Sequence, residues 1–533
     1  MKKYLATLCS ALALVSCNSW LGEDGPMVNH LGDYFTSAET ATQVATGVYT
    51  PLMWEYNGTY FSEWYVGDIA SDDALKGGQN VADGTDAYDI DNFKVISNNE
   101  IILQYYRAQY QGIGRANLAI EQIGAMAVDE SLDQALKDRL VAEARFLRAF
   151  YYFRLVRMYG GVPLVLEPVY SSADWIKPRA TVEAVYAAIL DDLAYAEDYL
   201  PLKGAYPAED LGRATKGAAQ AMLLKANLYE AGYYERSGNT AAAKSCYEVA
   251  VEAGKRFLFD EAAEYSLCAD YADNFDLSKE NGLESVFEIQ YMEDGMSDYG
   301  EGNGFSRGTF TMVLMRSRST AFGKAGWGFN HPTQNLFDEY ETGDPRRDAT
   351  ILTPTDAEIE NEAEEVYLGS RYLSLKRTSM GAGRKYTALD HDSRGAMNNV
   401  QIRLADVYLM YAEAVLATGD TETAKEYLER VRARARGTAD ILPAFPYGGY
   451  ADNADDLLKA LRHERRVELA MEGHRWFDLC RWGIAKEVMD AYQAGETAEA
   501  RAEMAPFQAG KHELMPIPQK EVLLGGFEQN PGY

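Results

Sequence analysis

The sequence is 533 residues long and strongly acidic, with a formal net charge of -30 at pH 7. A surface of that sign repels the phosphates of nucleic acids and the headgroups of anionic lipids, so we expect no nucleic-acid partner. The charge suits a neutral or cationic ligand, or solubility alone. A chain of this length, with 47% hydrophobic residues, can bury a large core without disulfide staples.

The N-terminus has the features of a bacterial lipoprotein signal. A lysine pair gives it a positive start, and the apolar run that follows is too short to span a bilayer. The run ends in LVSC, which resembles the lipobox at which bacterial lipoproteins are cleaved and acylated. We therefore predict a signal peptide over residues 1–16, a lipid on Cys17 and a tether over residues 17–40. The alternative is an ordinary signal peptide that happens to contain a cysteine.

The remaining cysteines and the histidines predict neither a disulfide framework nor a metal site. Cys246, Cys268 and Cys480 lack the paired spacing of zinc ligands, and we expect buried free thiols. The six histidines are scattered along the chain, so no metal or other cofactor is predicted. One acidic run lacks the spacing of a calcium loop and is interpreted as solvated turns. It consists of Asp83, Asp86, Asp89 and Asp91.

Apolar residues recur at spacings of three and four in several stretches, which predicts amphipathic helices. The clearest predicted helix covers residues 132–159, and the Gly-Gly and Pro that follow should end it. Further helices are predicted over 181–199, 214–234 and 240–257. Two helices over 404–435 match the tetratricopeptide pattern of about 34 residues. The predicted fold class is therefore mainly α, a tetratricopeptide-repeat scaffold, and such solenoids favour binding over catalysis.

Two segments lack this periodicity and are rich in Gly, Asp and aromatic residues: 54–93 and about 260–399. The second contains runs typical of strands over 285–290 and 309–314. Long irregular segments on a rigid scaffold commonly carry function, so we expect a loop-rich, partly β ligand-binding face there. After the tether we predict a single domain, made of a helical part over 41–260, a binding insert over 261–400 and a closing part over 401–533.

Several short segments carry a more specific resemblance. In chain order they are AEARFLRAFYY at 142–152, YGGVP at 159–163, TKGAA at 215–219, GDPRR at 343–347, ERRVEL at 464–469, EGHRWFDLCRW at 472–482, MPIP at 515–518 and QNPGY at 529–533. Together and in this order they resemble the SusD/RagB family of outer-membrane nutrient-uptake lipoproteins. With the lipobox, the resemblance covers essentially the whole chain.

This resemblance implies a helical tetratricopeptide scaffold whose loop-rich face binds glycan at the cell surface. It also implies a lipid-anchored location in the outer membrane. The implied partner is a SusC-like, TonB-dependent β-barrel transporter, over which such a protein sits as a lid. The binding aromatics vary among family members, so the resemblance gives their general location and leaves the sugar open.

Most charged residues of these segments are interpreted as ion pairs between helices. Glu464 and Glu468 lie four residues apart, and two like charges at that spacing need arginine partners. The same structural role is predicted for Arg145, Arg148, Arg465 and Arg475.

Two apparent catalytic motifs fail on their context. The run from Gly304 to Gly308 has the pattern of a hydrolase nucleophile elbow, but a loop precedes it and a predicted strand follows it. His463 and Glu464 begin a zinc-protease motif, but Val467 stands where the second histidine is required. We therefore expect a protein that is not an enzyme. A lipid-anchored glycan hydrolase and an envelope scaffold without a small ligand remain as alternatives.

Aromatic residues of the two irregular segments are the predicted ligand contacts, because the CH faces of sugars stack on rings. We place Trp327 first. The glycines on both sides of it would leave the indole face accessible, although they would equally let the ring fold into the core. The further candidates are Trp64, Tyr88, Tyr291 and Tyr299.

The lipid prediction can be checked by labelling cells with a clickable fatty acid. Cys17→Ala should abolish the label on this protein, because the substitution removes the thiol that would be acylated. Stable anchoring takes two or more acyl chains, at about 0.8 kcal/mol per buried CH₂. A mutant that keeps its label would contradict the prediction.

Overall fold

The computed structural model describes residues 35–55, 62–171, 174–260, 264–293, 307–359, 370–388 and 394–533. It is mainly helical, as predicted. The helices are α1 (Ala38–Tyr49), α2 (Trp64–Gly67), α3 (Thr85–Asp91), α4 (Glu100–Ala125), α5 (Gln134–Tyr159), α6 (Val182–Tyr199), α7 (Lys216–Arg236), α8 (Thr240–Asp260), α9 (Thr311–Met315), α10 (Gln334–Glu339), α11 (Pro345–Thr350), α12 (Asp356–Ile359), α13 (Leu404–Ala417), α14 (Thr421–Arg436), α15 (Ala454–Leu469), α16 (Arg475–Arg481), α17 (Ala485–Gly495), α18 (Ala498–Glu503) and α19 (Gln519–Gly525).

Short strands join into two-stranded antiparallel ribbons. The strands are β1 (Ala74–Gly77), β2 (Ser285–Ile289), β3 (Phe329–Pro332), β4 (Ile351–Leu352), β5 (Leu373–Ser374), β6 (Met380–Gly381), β7 (Lys385–Tyr386) and β8 (Asn399–Arg403). The pairs are β1 with β3, β2 with β8, β4 with β5, and β6 with β7. Only β6 and β7 are joined by a short turn. In the other three pairs the strands come from different parts of the sequence, so the ribbons connect loops to one another and do not form a layer.

The long helices pack side by side in a continuous row. In order, α4 packs on α5, α5 on α6, α6 on α7, α7 on α8, α8 on α13, and α13 on both α14 and α15. Two glycines let neighbouring helices approach closely. A Cβ on Gly112 would lie 2.3 Å from the Tyr151 ring, and one on Gly254 would lie 2.5 Å from the Tyr411 ring. The row confirms the predicted helical scaffold.

Helix α5 packs between α4 and α6 and is buried along nearly its whole length from Leu140 onward. The Asp133 carboxylate caps its start by accepting from the Leu136 amide at 2.8 Å. It ends as predicted at Gly160, whose φ of +73° favours glycine. Within the described ranges, no helix has the length and apolarity that a membrane crossing requires.

Two boundaries differ from the sequence prediction. Helix α1 begins at Ala38, inside the range predicted as tether, because Ser37 and Thr40 form a capping box. Residues 309–314, predicted as a strand, contain helix α9 instead. The Glu55 carboxylate accepts from the amides of Phe310 and Thr311 at 2.8 and 3.0 Å and so caps that helix from a distant segment.

Two buried carboxylates on α15 are shared among arginines from distant segments. Glu464 and Glu468 both contact Arg346, which lies on α11. Glu468 also contacts Arg403 at the end of β8 and Arg434 on α14. The predicted need for arginine partners is confirmed, and the partners connect α15 to three other elements.

The two arginines between these carboxylates reach further parts of the chain. Arg465 donates to Asp406 on α13 at 2.7 Å. Arg466 contacts Asp72 at 2.9 Å and Asp73 at 2.8 Å, just before β1. Helix α15 therefore links the C-terminal helices to the N-terminal half.

The other arginines predicted to form ion pairs also have acidic partners. Arg148 on α5 pairs with Asp192 on α6 at 2.7 Å, and Arg145 lies 3.7 Å from the same carboxylate. Arg475 pairs with Asp72 at 2.8 Å. These contacts confirm the structural interpretation of the charged segments.

Arg403 has the most acidic surroundings of this set. Its guanidinium lies 2.7 Å from Glu284 and 2.8 Å from Glu472, and also contacts Glu468. Burial opposes ionisation of Glu472, but Arg403 and Lys376 outweigh burial and lower the pKa of Glu472 to about 2. Because this pKa is lower than in the unfolded chain, about 4.3, the stabilisation is complete above that pH and is lost as the pH falls toward 2.

Arg403→Met should be strongly destabilising, because it leaves three buried carboxylates without their shared cation. We expect a loss of about 3 to 5 kcal/mol in the free energy of unfolding, measured by urea titration. Arg371→Met is the matched control. Arg371 pairs with Asp356 at 3.1 Å on the surface, and an exposed pair of this kind contributes about 1 kcal/mol or less. Equal effects of the two substitutions would contradict the structural role of Arg403.

Candidate functional site

The two irregular segments predicted from the sequence meet at the β1–β3 ribbon. Gly77 pairs with Phe329, and the Gly78 amide donates to the Gly328 carbonyl at 2.7 Å. Trp327 immediately precedes this contact. The structure therefore brings residues from both segments together beside the first-ranked aromatic candidate.

The buried charges of the scaffold fix the position of this ribbon. Arg466 holds Asp73, which directly precedes β1, with a hydrogen bond of 2.8 Å. The Asp68 carboxylate accepts from the Gly473 amide at 2.7 Å and from the Asn330 side chain on β3 at 3.0 Å. Both strands are thus tied to the segment around α15 and α16.

The loop over residues 77–84 forms one side of the surface. Gln79 and Asn80 are exposed, but their backbone is held in place. The Asp83 carboxylate accepts from the Gln79 amide at 2.8 Å, and the Lys76 ammonium donates to the Asn80 carbonyl at 2.8 Å. Burial lowers the pKa of Lys76 to about 8. Two side-chain amides are therefore presented to solvent from a fixed loop.

Trp327 is half-buried and held in one orientation. Its ring packs edge-on against buried Phe310, with ring centroids 5.3 Å apart at 89°. Its amide donates to the Val313 carbonyl at 3.0 Å, and its carbonyl accepts from Arg318 at 3.2 Å. The Arg318 guanidinium also lies 3.8 Å from Asp83 of the loop. We call residues 77–84, Arg318 and Trp327 the Trp327 surface.

The glycines beside Trp327 have a backbone role that the sequence did not indicate. A Cβ on Gly326 would lie 2.3 Å from the Arg316 Cβ, and Gly328 has a φ of +68°. A Cβ on Gly77 would lie 2.2 Å from the Gly328 carbonyl oxygen. The glycines therefore allow the close approach of chains that pins Trp327, and the ring is neither fully exposed nor folded into the core.

Two other predicted ligand contacts lie in the core. Trp64 is fully buried, stacks on Tyr65 at 3.9 Å and donates from its indole nitrogen to Thr311 at 3.2 Å. Tyr291 is buried, and its amide donates to Asn398 at 2.8 Å. Neither ring presents a face to a ligand in this structure.

Tyr88 is also buried, on α3, where its hydroxyl contacts Glu503 and accepts from Lys94 at 2.9 Å. Tyr299 lies outside the described residues. Among the four predicted aromatics that the structure describes, Trp327 alone is partly exposed.

The acidic run interpreted as solvated turns lies mostly on a helix. Asp86, Asp89 and Asp91 belong to α3. Asp91 accepts from the Lys76 amide at 2.9 Å, and Asp86 accepts from the Glu100 amide at 3.3 Å. The interpretation as turns was wrong for these three residues, because they lie on a helix, whereas Asp83 does lie in a turn. Among the residues with described positions, no three acidic, histidine or cysteine side chains form a possible metal site.

The residues of the apparent protease motif are part of the ion-pair system. Glu464 is bound by Arg346, as described above, and by Arg432 at 2.8 Å. His463 contacts Glu339 at 2.7 Å. Burial opposes its protonation, but hydrogen bonds with Glu339 and Glu341 raise the pKa of His463 to about 9. This histidine is therefore a structural cation. The other apparent motif, at 304–308, lies partly outside the described residues, which do not include 304–306.

The sequence did not single out Gln79, Asn80 or Arg318. Glycines at the two ends of the loop over 77–84 were a signal for a tight turn. The pairing of this loop with the chain beside Trp327 spans more than two hundred residues, and no local pattern indicates it.

Two family models match this chain. The model described as SusD family matches residues 283–533, and the model described as Starch-binding associating with outer membrane matches residues 24–228. A SusD-like protein of Formosa agariphila is 26% identical over 462 residues, which cover 84% of this chain and 83% of that one.

Solved structures show the same fold. A laminarin binding SusD-like protein is 29% identical, with a TM-score of 0.76, over 93% of this chain and 99% of the other. A SusD homolog from Bacteroides thetaiotaomicron is 24% identical, with a TM-score of 0.79, over 96% of this chain and 100% of the other. The predicted family resemblance and the helical fold class are confirmed.

Proposed function

This chain belongs to the SusD family, and from that premise we propose that it binds a glycan at the bacterial cell surface and delivers it to a β-barrel transporter. The similar laminarin binding protein and the starch-binding family description both support a glycan as the ligand. The strong negative charge of the chain is compatible with a neutral polysaccharide.

The Trp327 surface is the proposed binding platform, and one observation carries this proposal. A half-buried indole, fixed by Phe310 and by backbone hydrogen bonds, lies beside a loop with two exposed amides. The ring would stack on the CH face of a pyranose. The amides of Gln79 and Asn80 and the Arg318 guanidinium would bond its hydroxyls. Rigid partners of this kind lower the ordering cost of binding.

The anchor and the partner are proposed from the family and from the N-terminal sequence. Cys17 would carry the lipid and hold the chain on the outer membrane, facing the cell surface. A SusC-like, TonB-dependent β-barrel would receive the glycan. The family description that associates such proteins with the outer membrane supports this arrangement.

We propose binding without turnover. The ionisable residues of the apparent catalytic motif that the structure describes, His463 and Glu464, are occupied in ion pairs. The charged residues of the Trp327 surface, Arg318 and Asp83, lie close together as a pair rather than as two separated carboxylates that could act as acid and base.

Trp327→Ala should weaken polysaccharide binding by roughly tenfold or more, about 1.4 kcal/mol, because it removes the stacking ring. Trp327→Tyr should keep most of the affinity. Binding is measured by affinity electrophoresis in gels containing plant or algal polysaccharides, laminarin among them. The melting temperature should fall modestly, since the edge-on contact with Phe310 contributes about 0.5 to 1.5 kcal/mol.

Trp175→Ala provides the control, because that indole is 71% exposed and lies outside the proposed surface. It should bind as the wild type does. Loss of binding in this control, with normal binding by Trp327→Ala, would move the site elsewhere. Release of shorter sugars on prolonged incubation would indicate the hydrolase alternative, and no retention in any gel would indicate an envelope scaffold.

A further inference from the structure

A pocket lies apart from the Trp327 surface and shares no residue with it. Its volume is about 490 Å³, within the range of about 300 to 1,000 Å³ typical of small-molecule sites. The ends of α5 and α7, the start of α6, helix α16 and residues 510–514 form its wall. Segments that carry the family resemblance, YGGVP and EGHRWFDLCRW, thus contribute to a pocket that the proposed glycan platform does not use.

The floor of the pocket contains two buried polar side chains whose hydrogen-bonding capacity is not filled. The Tyr229 hydroxyl and the Arg157 Nε atom have no hydrogen bond of good geometry in the described part of the chain. The Arg157 guanidinium lies close enough to donate to the Tyr229 oxygen, but it cannot accept the phenolic proton. Buried donors in native proteins are rarely left unsatisfied, so this pair calls for an acceptor in the pocket.

The surroundings of Arg157 leave part of its charge uncompensated. One of its terminal nitrogens contacts Glu63, but that carboxylate also serves Arg154, at 3.4 Å. The Arg157 guanidinium also lies over the rings of Phe153 and Phe477, at 5.1 and 4.2 Å from their centroids. The Asp478 carboxylate adds a weaker favourable interaction that does not outweigh burial. Burial lowers its pKa. An anionic acceptor would therefore be stabilised more than a neutral one.

The rim supplies a further cation and a carboxylate. Arg236 donates to the Arg481 carbonyl at 2.9 Å, which uses one of its five N–H groups. Glu513 accepts from the Gly510 amide at 2.8 Å through one oxygen and so retains capacity for hydroxyl donors. The Tyr233 hydroxyl at the rim donates to Glu183 at 2.7 Å and can still accept.

We propose that this pocket binds a small acidic sugar, with its carboxylate toward Arg157, Tyr229 and Arg236 and a hydroxyl toward Glu513. A carboxylate matches the excess of donors, and hydroxyls match the remaining carboxylate of the wall. A plain anion would leave Glu513 unmatched, and a neutral sugar would leave the arginines unmatched. The site goes beyond the proposed capture of a polysaccharide, because it takes one sugar unit in a pocket apart from the proposed platform.

The test uses D-glucuronate and D-glucose, two pyranoses that differ in the carboxylate, and the purified full chain. Isothermal titration or saturation-transfer NMR should show binding of glucuronate at least tenfold tighter than that of glucose. Arg236→Gln, at the exposed rim, should weaken glucuronate binding by about tenfold. Arg371→Gln, the same change at a surface ion pair outside the pocket, should leave it unchanged.

Tyr229→Phe separates a ligand role from a structural one. Because the hydroxyl proton has no acceptor and the oxygen is only one of several groups around Arg157, the melting temperature should change little, while glucuronate binding weakens several-fold. Neither variant should alter retention in polysaccharide gels, so failure here is distinguishable from failure of the proposed function. Absent glucuronate binding, equal binding of glucose, or binding unaffected by both variants would overturn the proposal and indicate that water satisfies the two donors.

Discussion

The fold depends on four charged residues of helix α15: Glu464, Arg465, Arg466 and Glu468. They are buried, and a buried charge is stable only when partners satisfy it, so each fixes the position of another segment. Arg465 pairs with Asp406 on α13 and Glu468 with Arg434 on α14, whereas Arg466 holds Asp73 just before β1. From β1 the constraint passes to β3 and to the half-buried Trp327. The geometry of the candidate binding surface thus depends on ion pairs in the scaffold that lie outside that surface.

Local patterns predicted the scaffold well because its helices are determined locally. Residues 134–159 combine periodic apolar positions with a capping aspartate and a terminating glycine, and the structure has the helix within two residues of the prediction. The need for arginines around Glu464 and Glu468 followed from their spacing alone. The sequence could not identify which arginines would pair with these carboxylates, because Arg346 and Arg403 come from segments far away in the chain.

The structure of the loop-rich segments was predicted less completely, because long-range contacts determine it. Residues 309–314 have strand-like composition, but the Glu55 carboxylate caps a helix there. Trp64 lies in an irregular, glycine-rich context that is typical of a loop, yet a hydrogen bond to Thr311 satisfies its indole inside the core. The glycines around Trp327 were visible in the sequence, but their function in chain pairing depends on β1. Long-range contacts decide each of these cases.

Binding a glycan at the cell surface does not by itself move it across the membrane. The proposed transport function therefore depends on a partner in the membrane. The most direct test is extraction of the outer membrane in mild detergent, followed by pull-down of the tagged chain and identification of the proteins recovered. We predict stoichiometric recovery of a TonB-dependent β-barrel, retained when the glycan is washed away. Repeated recovery of the lipoprotein alone, under conditions that keep other outer-membrane complexes intact, would contradict delivery to a transporter.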